Sequence, residues 1–139
     1  MTMHRPILCL DFDGVLHSYV SGWKGAAVIA DPPVKGMVEF LEKAVEKFDV
    51  QVFSSRSNQE GGLEAMKSWL RKHVTRHFDC EFHHGSAKDF DRAMRILNLV
   101  SFPLEKPPAL VTLDDRAITF TGVWPSVDSL LKFKPWTKD

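Results

Sequence analysis

The sequence predicts an α/β fold: a single Rossmann-like three-layer domain built around a mostly parallel sheet. Three observations predict it. Short apolar strands alternate with segments whose apolar residues have helical spacing, which is typical of parallel sheets covered by helices. Three of the predicted strands end in polar clusters, and a parallel arrangement brings such clusters to one edge of the sheet. The length of 139 residues and the apolar content of 44% suit one compact domain, expected to span residues 1–139.

The first strand is predicted at residues 7–10, and it runs directly into two acids, Asp11 and Asp13, followed by a glycine. Because side chains alternate along extended backbone, both carboxylates are expected to point the same way at the carboxyl end of the strand. Residues 15–31 contain several glycines and are predicted as a flap loop beside these acids. The aromatic residues of this loop, Tyr19 and Trp23, either pack it onto the sheet or stack on a base or ring of a ligand.

Residues 31–48 predict a first amphipathic helix, with Asp31 as its cap and two prolines in its first turn. The second strand is predicted at residues 50–53. It ends in the polar run at 54–56, which forms the second cluster of the sheet edge.

Patterns typical of capping boxes at Ser57 and Ser86 predict the starts of the second and third helices. Residues 109–113 form a continuous apolar run, which predicts a strand buried on both faces of the sheet. This strand leads into the third polar cluster, the acidic pair at 114–115. A further short strand is predicted at residues 118–120.

Composition narrows the classes of partner. The 18 basic and 18 acidic residues give a formal net charge of zero, so nothing predicts bulk attraction to nucleic acid or to a membrane surface. No apolar run approaches the roughly 20 residues that span a bilayer, and the first residues lack an apolar leader, so a cytoplasmic protein is expected. Nothing in the sequence indicates an oligomer, although an open site is compatible with one.

The polar clusters predict phosphoryl chemistry. Four carboxylates at one sheet edge repel one another unless a cation lies among them, and hard oxygen ligands favour Mg²⁺. The hydroxyl of Ser54 can bind a phosphate oxygen, and the charge of Arg56 or Lys106 can neutralise the phosphate. An aspartate can also attack phosphorus and form an aspartyl-phosphate.

In this order, the run DFDGV at residues 11–15, Ser54, Lys106 and the acidic pair at 114–115 resemble the four motifs of the haloacid dehalogenase-like (HAD) phosphatase superfamily. The resemblance covers residues 7–120. It implies that Asp11 is the nucleophile and a metal ligand. It further implies that Asp13 is the general acid and base, which binds Mg²⁺ through its backbone carbonyl.

The resemblance assigns the remaining roles as well. Asp115 corresponds to a metal ligand, and Asp114 supports the metal through water or in the second coordination sphere. Ser54 and Lys106 correspond to the residues that hold the phosphoryl group, with Lys88 as the competing lysine. The intervals between the motifs leave no room for a large cap domain, so the chain resembles the capless members.

The run Ser54-Ser55-Arg56 is similar to the Ser-Gly-Arg run of polynucleotide 3′-phosphatases in the same superfamily, with Ser55 in place of the glycine. Ser55 and Arg56 therefore join the predicted phosphate-binding residues. The expected activity is Mg²⁺-dependent hydrolysis of a phosphomonoester through an aspartyl-phosphate. The expected substrate is a small molecule, a nucleotide or a polynucleotide end.

Two alternatives stay open. A weakly catalytic or non-catalytic phosphate-binding module would keep the same fold and the same acids. A response-regulator receiver domain also uses acids, a hydroxyl and a lysine on a parallel sheet, but its phosphorylated aspartate follows a later strand.

A cluster of histidines and one cysteine could hold a transition metal, although its spacing favours a metal-free helix end. Its members are His73, His77, Cys80, His83 and His84.

Overall fold

The fold, taken from a computed structural model, is described for residues 4–79 and 86–138. Within them, three parallel strands form one sheet in the order β2-β1-β3. The strands are β1 (Ile7–Leu10), β2 (Asp49–Val52) and β3 (Val111–Leu113). Leu10 lies opposite Val52 on one side and Leu113 on the other, so all three strands end at the same edge. The predicted α/β fold with a parallel sheet is confirmed.

The helices supply most of the core that supports this sheet. They are α1 (Met37–Lys47), α2 (Gly62–His77), α3 (Ala87–Leu99) and α4 (Val127–Leu131), with a short 3₁₀ turn at Ser55–Asn58. Helix α1 packs against β2 and against both α2 and α3. Their buried apolar faces meet the inner strands in one cluster, which includes Leu10, Leu41, Val52, Met66 and Ile96. No helix in the described ranges is both long and apolar enough to cross a bilayer.

Two helix starts differ from their predictions. Helix α1 begins at Met37, after Gly36 at φ 88°, and Asp31 does not cap it. Asp31 is instead buried, and its carboxylate accepts hydrogen bonds from the backbone N–H and the hydroxyl of Ser21. Helix α2 begins at Gly62, five residues after the predicted cap. At Ser86 the predicted capping box is confirmed, because its hydroxyl accepts a bond from the Asp89 backbone.

The third strand is the clearest departure from expectation. It was expected to be buried on both faces, but Val111 and Leu113 are both exposed. The helix that follows, α4, has only five residues, which is too short to cover a sheet face. The described structure has no strand at residues 118–120. At the opposite edge, Ser101 exchanges backbone hydrogen bonds with the β2 strand and extends the sheet there.

Candidate active site at the carboxyl edge of the sheet

Three carboxylates converge where β1 and β3 end. Asp11 follows β1 directly, and its backbone N–H donates to the Leu113 carbonyl at 3.0 Å. Asp114 and Asp115 follow β3, so the strand pairing brings them beside Asp11. One carboxylate oxygen from each of these aspartates lies within 4.8 Å of the others. Parallel pairing of β1 and β3 is therefore what assembles the acidic cluster.

Asp115 is the most informative member of this cluster. Its side chain is 1% exposed, and within the described structure neither carboxylate oxygen has a hydrogen-bond partner. Arg116 comes only to 3.9 Å of Oδ2. The close approach to the first loop depends on Gly14, because a Cβ built there would lie 2.2 Å from Asp115 Oδ2. A buried carboxylate without donors is costly. A proton on Asp11 that is shared with Asp115, or a cation held by the three acids, would remove that cost.

The environment of Asp11 raises the pKa of its carboxyl group to about 8. Burial is the main cause, and a hydrogen bond from the Phe12 backbone N–H opposes it. The charge of Asp114, the charge of Asp115 and a proton that Asp11 can share with the Asp115 carboxylate all raise the pKa further. Without a cation, Asp11 is therefore mostly protonated at neutral pH. Carboxylate oxygens are the ligands that Mg²⁺ prefers, so the donor set fits this ion and would ionise Asp11 on binding.

Binding of Mg²⁺ to the metal-free protein at about pH 7 is expected to release about one proton, because Asp11 must ionise to become a ligand. The release should vanish above about pH 9, where Asp11 is already ionised. Titration calorimetry in buffers of different ionisation enthalpy measures the number of protons directly. A value near zero at neutral pH would contradict the assignment of Asp11 as a ligand.

Asp13 lies beside the cluster but bonds to other groups. Its carboxylate accepts from Arg56 Nε, at 2.9 Å to Oδ2 and 3.2 Å to Oδ1, and from His17 Nδ1 at 3.0 Å. Because His17 Nε2 accepts a bond from the Asp31 backbone N–H, the ring hydrogen must lie on Nδ1. Burial acts to raise the pKa of Asp13, but the bonds from His17 and Arg56 outweigh it and hold that pKa below its ordinary value.

Arg56 connects Asp13 to the flap loop. The side chain is fully buried, and Nη1 donates to the carbonyls of Gly25, Ala26 and Val28 at 2.8–3.0 Å. Its guanidinium also lies over the Trp23 ring, 4.6 Å from the centroid. Within the described ranges, Nη2 is buried and has no hydrogen-bond partner. The predicted contact of Arg56 with phosphate stays a prediction, and the burial of its side chain separates it from solvent in this structure.

An open cleft of about 260 Å³ lies between the sheet edge and the flap loop. The lining residues are Asp11, Asp13, Tyr19, Trp23, Ser54, Ser55, Asp115 and Arg116. The Ser54 hydroxyl oxygen accepts the Arg56 backbone N–H at 3.1 Å, which leaves its hydrogen for an acceptor in the cleft. Lys106 and Lys88 are both exposed, and neither belongs to the lining residues. Arg116 is the cation that borders the cleft.

Two residues at this site are missing from the sequence predictions. His17 lies four positions after Asp13, but the segment between them is a turn and not a helix, so this spacing gave no signal for their contact. Trp136 donates its indole N–H to the Gly14 carbonyl at 2.7 Å, across 122 residues of chain. No local pattern indicates this bond, because it depends on the path of the C-terminal segment.

The predicted histidine cluster is only partly described. The His73 ring packs against the Trp69 ring, with 4.6 Å between the ring centroids, and burial lowers the pKa of the His73 imidazole. His77 Nε2 lies 3.7 Å from Glu39 Oε1. Cys80, His83 and His84 lie outside the described residues. Among those that are described, the acids after β1 and β3 form the one group able to hold a metal ion.

Comparison with known proteins gives one match. Residues 7–134 match a family model described as the HAD domain in Swiss Army Knife RNA repair proteins. The chain matches no curated protein and no solved structure.

Proposed function

This chain belongs to the HAD domain family of Swiss Army Knife RNA repair proteins, and from that premise we propose that it is a Mg²⁺-dependent phosphohydrolase. The proposed substrate is a phosphomonoester at a nucleic-acid end, and the proposed route passes through an aspartyl-phosphate on Asp11. The observation that carries the proposal is the buried carboxylate of Asp115 beside Asp11, which accepts no hydrogen bond within the described part of the chain. Such an arrangement is expected for a site that binds a cation and a phosphate together.

Asp11, Asp114 and Asp115 would hold the ion through their carboxylates, and the Asp13 backbone carbonyl would complete the set of protein ligands. When bound, Mg²⁺ would neutralise charge on the phosphoryl oxygens and keep Asp11 ionised. The hydroxyl of Ser54 would bind a phosphoryl oxygen from the other side of the cleft. The cleft, rather than a closed cavity, suits a phosphate carried on a large molecule.

In the first step, an oxygen of Asp11 attacks phosphorus while the bond from phosphorus to the leaving oxygen breaks. Asp13 gives its proton to that oxygen, so that an alcohol leaves. In the second step, Asp13 takes a proton from water, which attacks phosphorus and breaks its bond to Asp11. Inorganic phosphate leaves, and both aspartates return to their starting states.

The hydrogen bonds that Asp13 accepts from His17 and Arg56 affect its protonation in these two steps. Its lowered pKa means that the free protein holds Asp13 as a carboxylate, the form that serves as base in the second step. The first step needs the protonated form. Entry of a phosphate dianion places negative charge close to Asp13, which would raise its pKa and favour proton uptake. Arg56 and His17 then act as positioning residues, since both donate to the Asp13 carboxylate.

The test is phosphate release from a substrate panel with Mg²⁺ and with EDTA. The panel contains an aryl phosphate, glycerol phosphate, mononucleotides, and 3′- and 5′-phosphorylated oligonucleotides. We expect Mg²⁺-dependent release, fastest from an oligonucleotide end. If folded protein binds Mg²⁺ but releases no phosphate from any substrate, the phosphate-binding module becomes the better description.

A further inference from the structure

Trp23 occupies an unusual position for a flap residue. Its ring covers the guanidinium of the buried Arg56 on one side, yet the residue remains 47% exposed and borders the cleft. Packing of the loop onto the sheet would have buried the ring. An exposed indole next to a phosphate site is a platform on which a planar group can stack. The Arg56 contact holds the ring in place, which lowers the entropy lost when a ligand stacks on it.

Arg116 provides a second feature on the rim of the same cleft. Its side chain is 56% exposed, and Nε lies 3.9 Å from Asp115 Oδ2. The contact is long and involves one nitrogen only, so the exposed guanidinium is available to a neighbouring phosphate. The backbone N–H of Arg116 donates to Asp114 Oδ1 at 2.8 Å, which fixes the residue beside the acidic cluster. The lining of this one cleft thus includes both an aromatic side chain and a cation.

We propose that Trp23 and Arg116 form the nucleoside subsite of this cleft, in which Trp23 stacks on the base that carries the terminal phosphate and Arg116 pairs with the adjacent phosphodiester. This inference rests on the proposed function, whose substrate class it narrows to single-stranded polynucleotide ends. Stacking has no sequence preference, because every base has a π-face. The subsite would therefore distinguish a nucleic-acid end from a small phosphate without reading its sequence.

The experiment compares three phosphorylated substrates: a short single-stranded ribo-oligonucleotide, the same oligonucleotide with an abasic terminal residue, and glycerol phosphate. The variants are Trp23→Leu, which still covers Arg56 but cannot stack, and Trp23→Phe, which keeps an aromatic face. Trp124→Leu is the matched control, because that residue is 84% exposed and borders a different cavity. A second readout is the fluorescence anisotropy of a labelled dephosphorylated oligonucleotide, which the wild-type protein cannot turn over.

We expect Trp23→Leu to lower kcat/KM for the complete oligonucleotide by about 5- to 100-fold, the range that loss of one stacked base would give. For Trp23→Leu, kcat/KM for the abasic oligonucleotide and for glycerol phosphate should stay close to the wild-type values. Trp23→Phe should show a smaller loss of kcat/KM for the complete oligonucleotide. Arg116→Gln should weaken the binding of the complete and the abasic oligonucleotide to the same extent, and it should reduce the salt dependence of that binding. An equal loss on all three substrates would overturn the proposal, since Trp23 would then only support Arg56.

The two hypotheses fail in different ways. If the wild type releases no phosphate from any substrate, the proposed phosphohydrolase fails, and the anisotropy measurement decides the subsite by itself. Weaker binding of the complete oligonucleotide by Trp23→Leu, with no change for the abasic one, supports the subsite even then. If Trp23→Leu binds the complete oligonucleotide as tightly as wild type does, and the abasic one likewise, the subsite proposal is overturned.

Discussion

Replacement of Asp11 by asparagine is expected to reduce Mg²⁺-dependent phosphate release by on the order of 10⁴-fold or more, the scale seen when a covalent nucleophile is removed. Asparagine has nearly the same shape, so the backbone pairing of Asp11 with Leu113 should persist. It cannot form the aspartyl-phosphate, however, and it removes one carboxylate from the acidic cluster. Steady-state release of phosphate by wild type and variant measures the loss.

Asp49→Asn is the matched control, because it makes the same chemical change at an exposed carboxylate that bonds only to the nearby Gln51 side chain among the described residues. It should keep full activity. Retention of substantial activity by Asp11→Asn, in protein shown by mass spectrometry to be free of deamidation, would rule out Asp11 as nucleophile.

The stability of the same variant gives an independent readout. The folded-state pKa of Asp11, about 8, lies above its unfolded value, so its contribution to the stability of the metal-free protein is complete below about pH 4 and is lost as the pH rises through 8. Asparagine carries no such dependence. In EDTA at about pH 9, Asp11→Asn should therefore melt at a higher temperature than wild type, and added Mg²⁺ should reverse the order. If Asp11→Asn instead melts below wild type in EDTA at about pH 9, the repulsion among the acids at this sheet edge is contradicted.

Replacement of Arg56 by methionine is the second large effect. It is expected to lower the free energy of unfolding by about 3–5 kcal/mol, the usual cost of removing one partner from a buried ion pair. The change leaves the Asp13 carboxylate without its guanidinium donor and leaves three flap carbonyls without the Nη1 donor. Activity should fall as well, because Asp13 loses a positioning contact. Urea unfolding, monitored by tryptophan fluorescence, measures the change in stability.

Arg92→Met provides the control. Arg92 pairs with the Glu42 carboxylate from Nε and Nη2, each at 2.7 Å, whereas Arg56 donates to Asp13 from Nε alone. The Arg92 pair lies at an exposed position between α3 and α1. Its loss should change stability little. Arg56→Lys covers the case in which the methionine variant does not fold, since it keeps the charge while losing the fork geometry, and it should still reduce activity. If the two methionine variants are equally stable, Arg56 does not hold the flap in the way described.

Much of the site follows from patterns that are local in the sequence. The apolar strand before Asp11 and the apolar run before Asp114 predict neighbouring parallel strands, because both alternate with helical segments. Parallel strands end at one edge, so the meeting of Asp11 with Asp114 and Asp115 could be expected before the structure was known. The cap at Ser86 was predictable for the same reason, since its partner is only three residues away.

Other features depend on contacts between distant segments. The sequence suggested Arg56 as a phosphate ligand, but its partners lie in the flap, whose path through a glycine-containing loop has no periodic pattern to predict it. The burial of β3 was wrongly predicted, because an apolar run shows what a strand can bury but not whether a helix covers it. The bond from Trp136 to Gly14 likewise had no signal in the sequence.

The sequence by itself thus determined the parallel sheet, the acids at its edge and the order of the motifs, since each depends on short-range alternation and spacing. Only the tertiary structure decided the environment of each acid. Partial burial, together with the neighbouring carboxylates, raises the pKa of Asp11, whereas Asp13 lies two residues away against Arg56 and His17, which lower its pKa. Two identical side chains differ because desolvation and neighbouring charge are properties of the folded surroundings and not of the residue type.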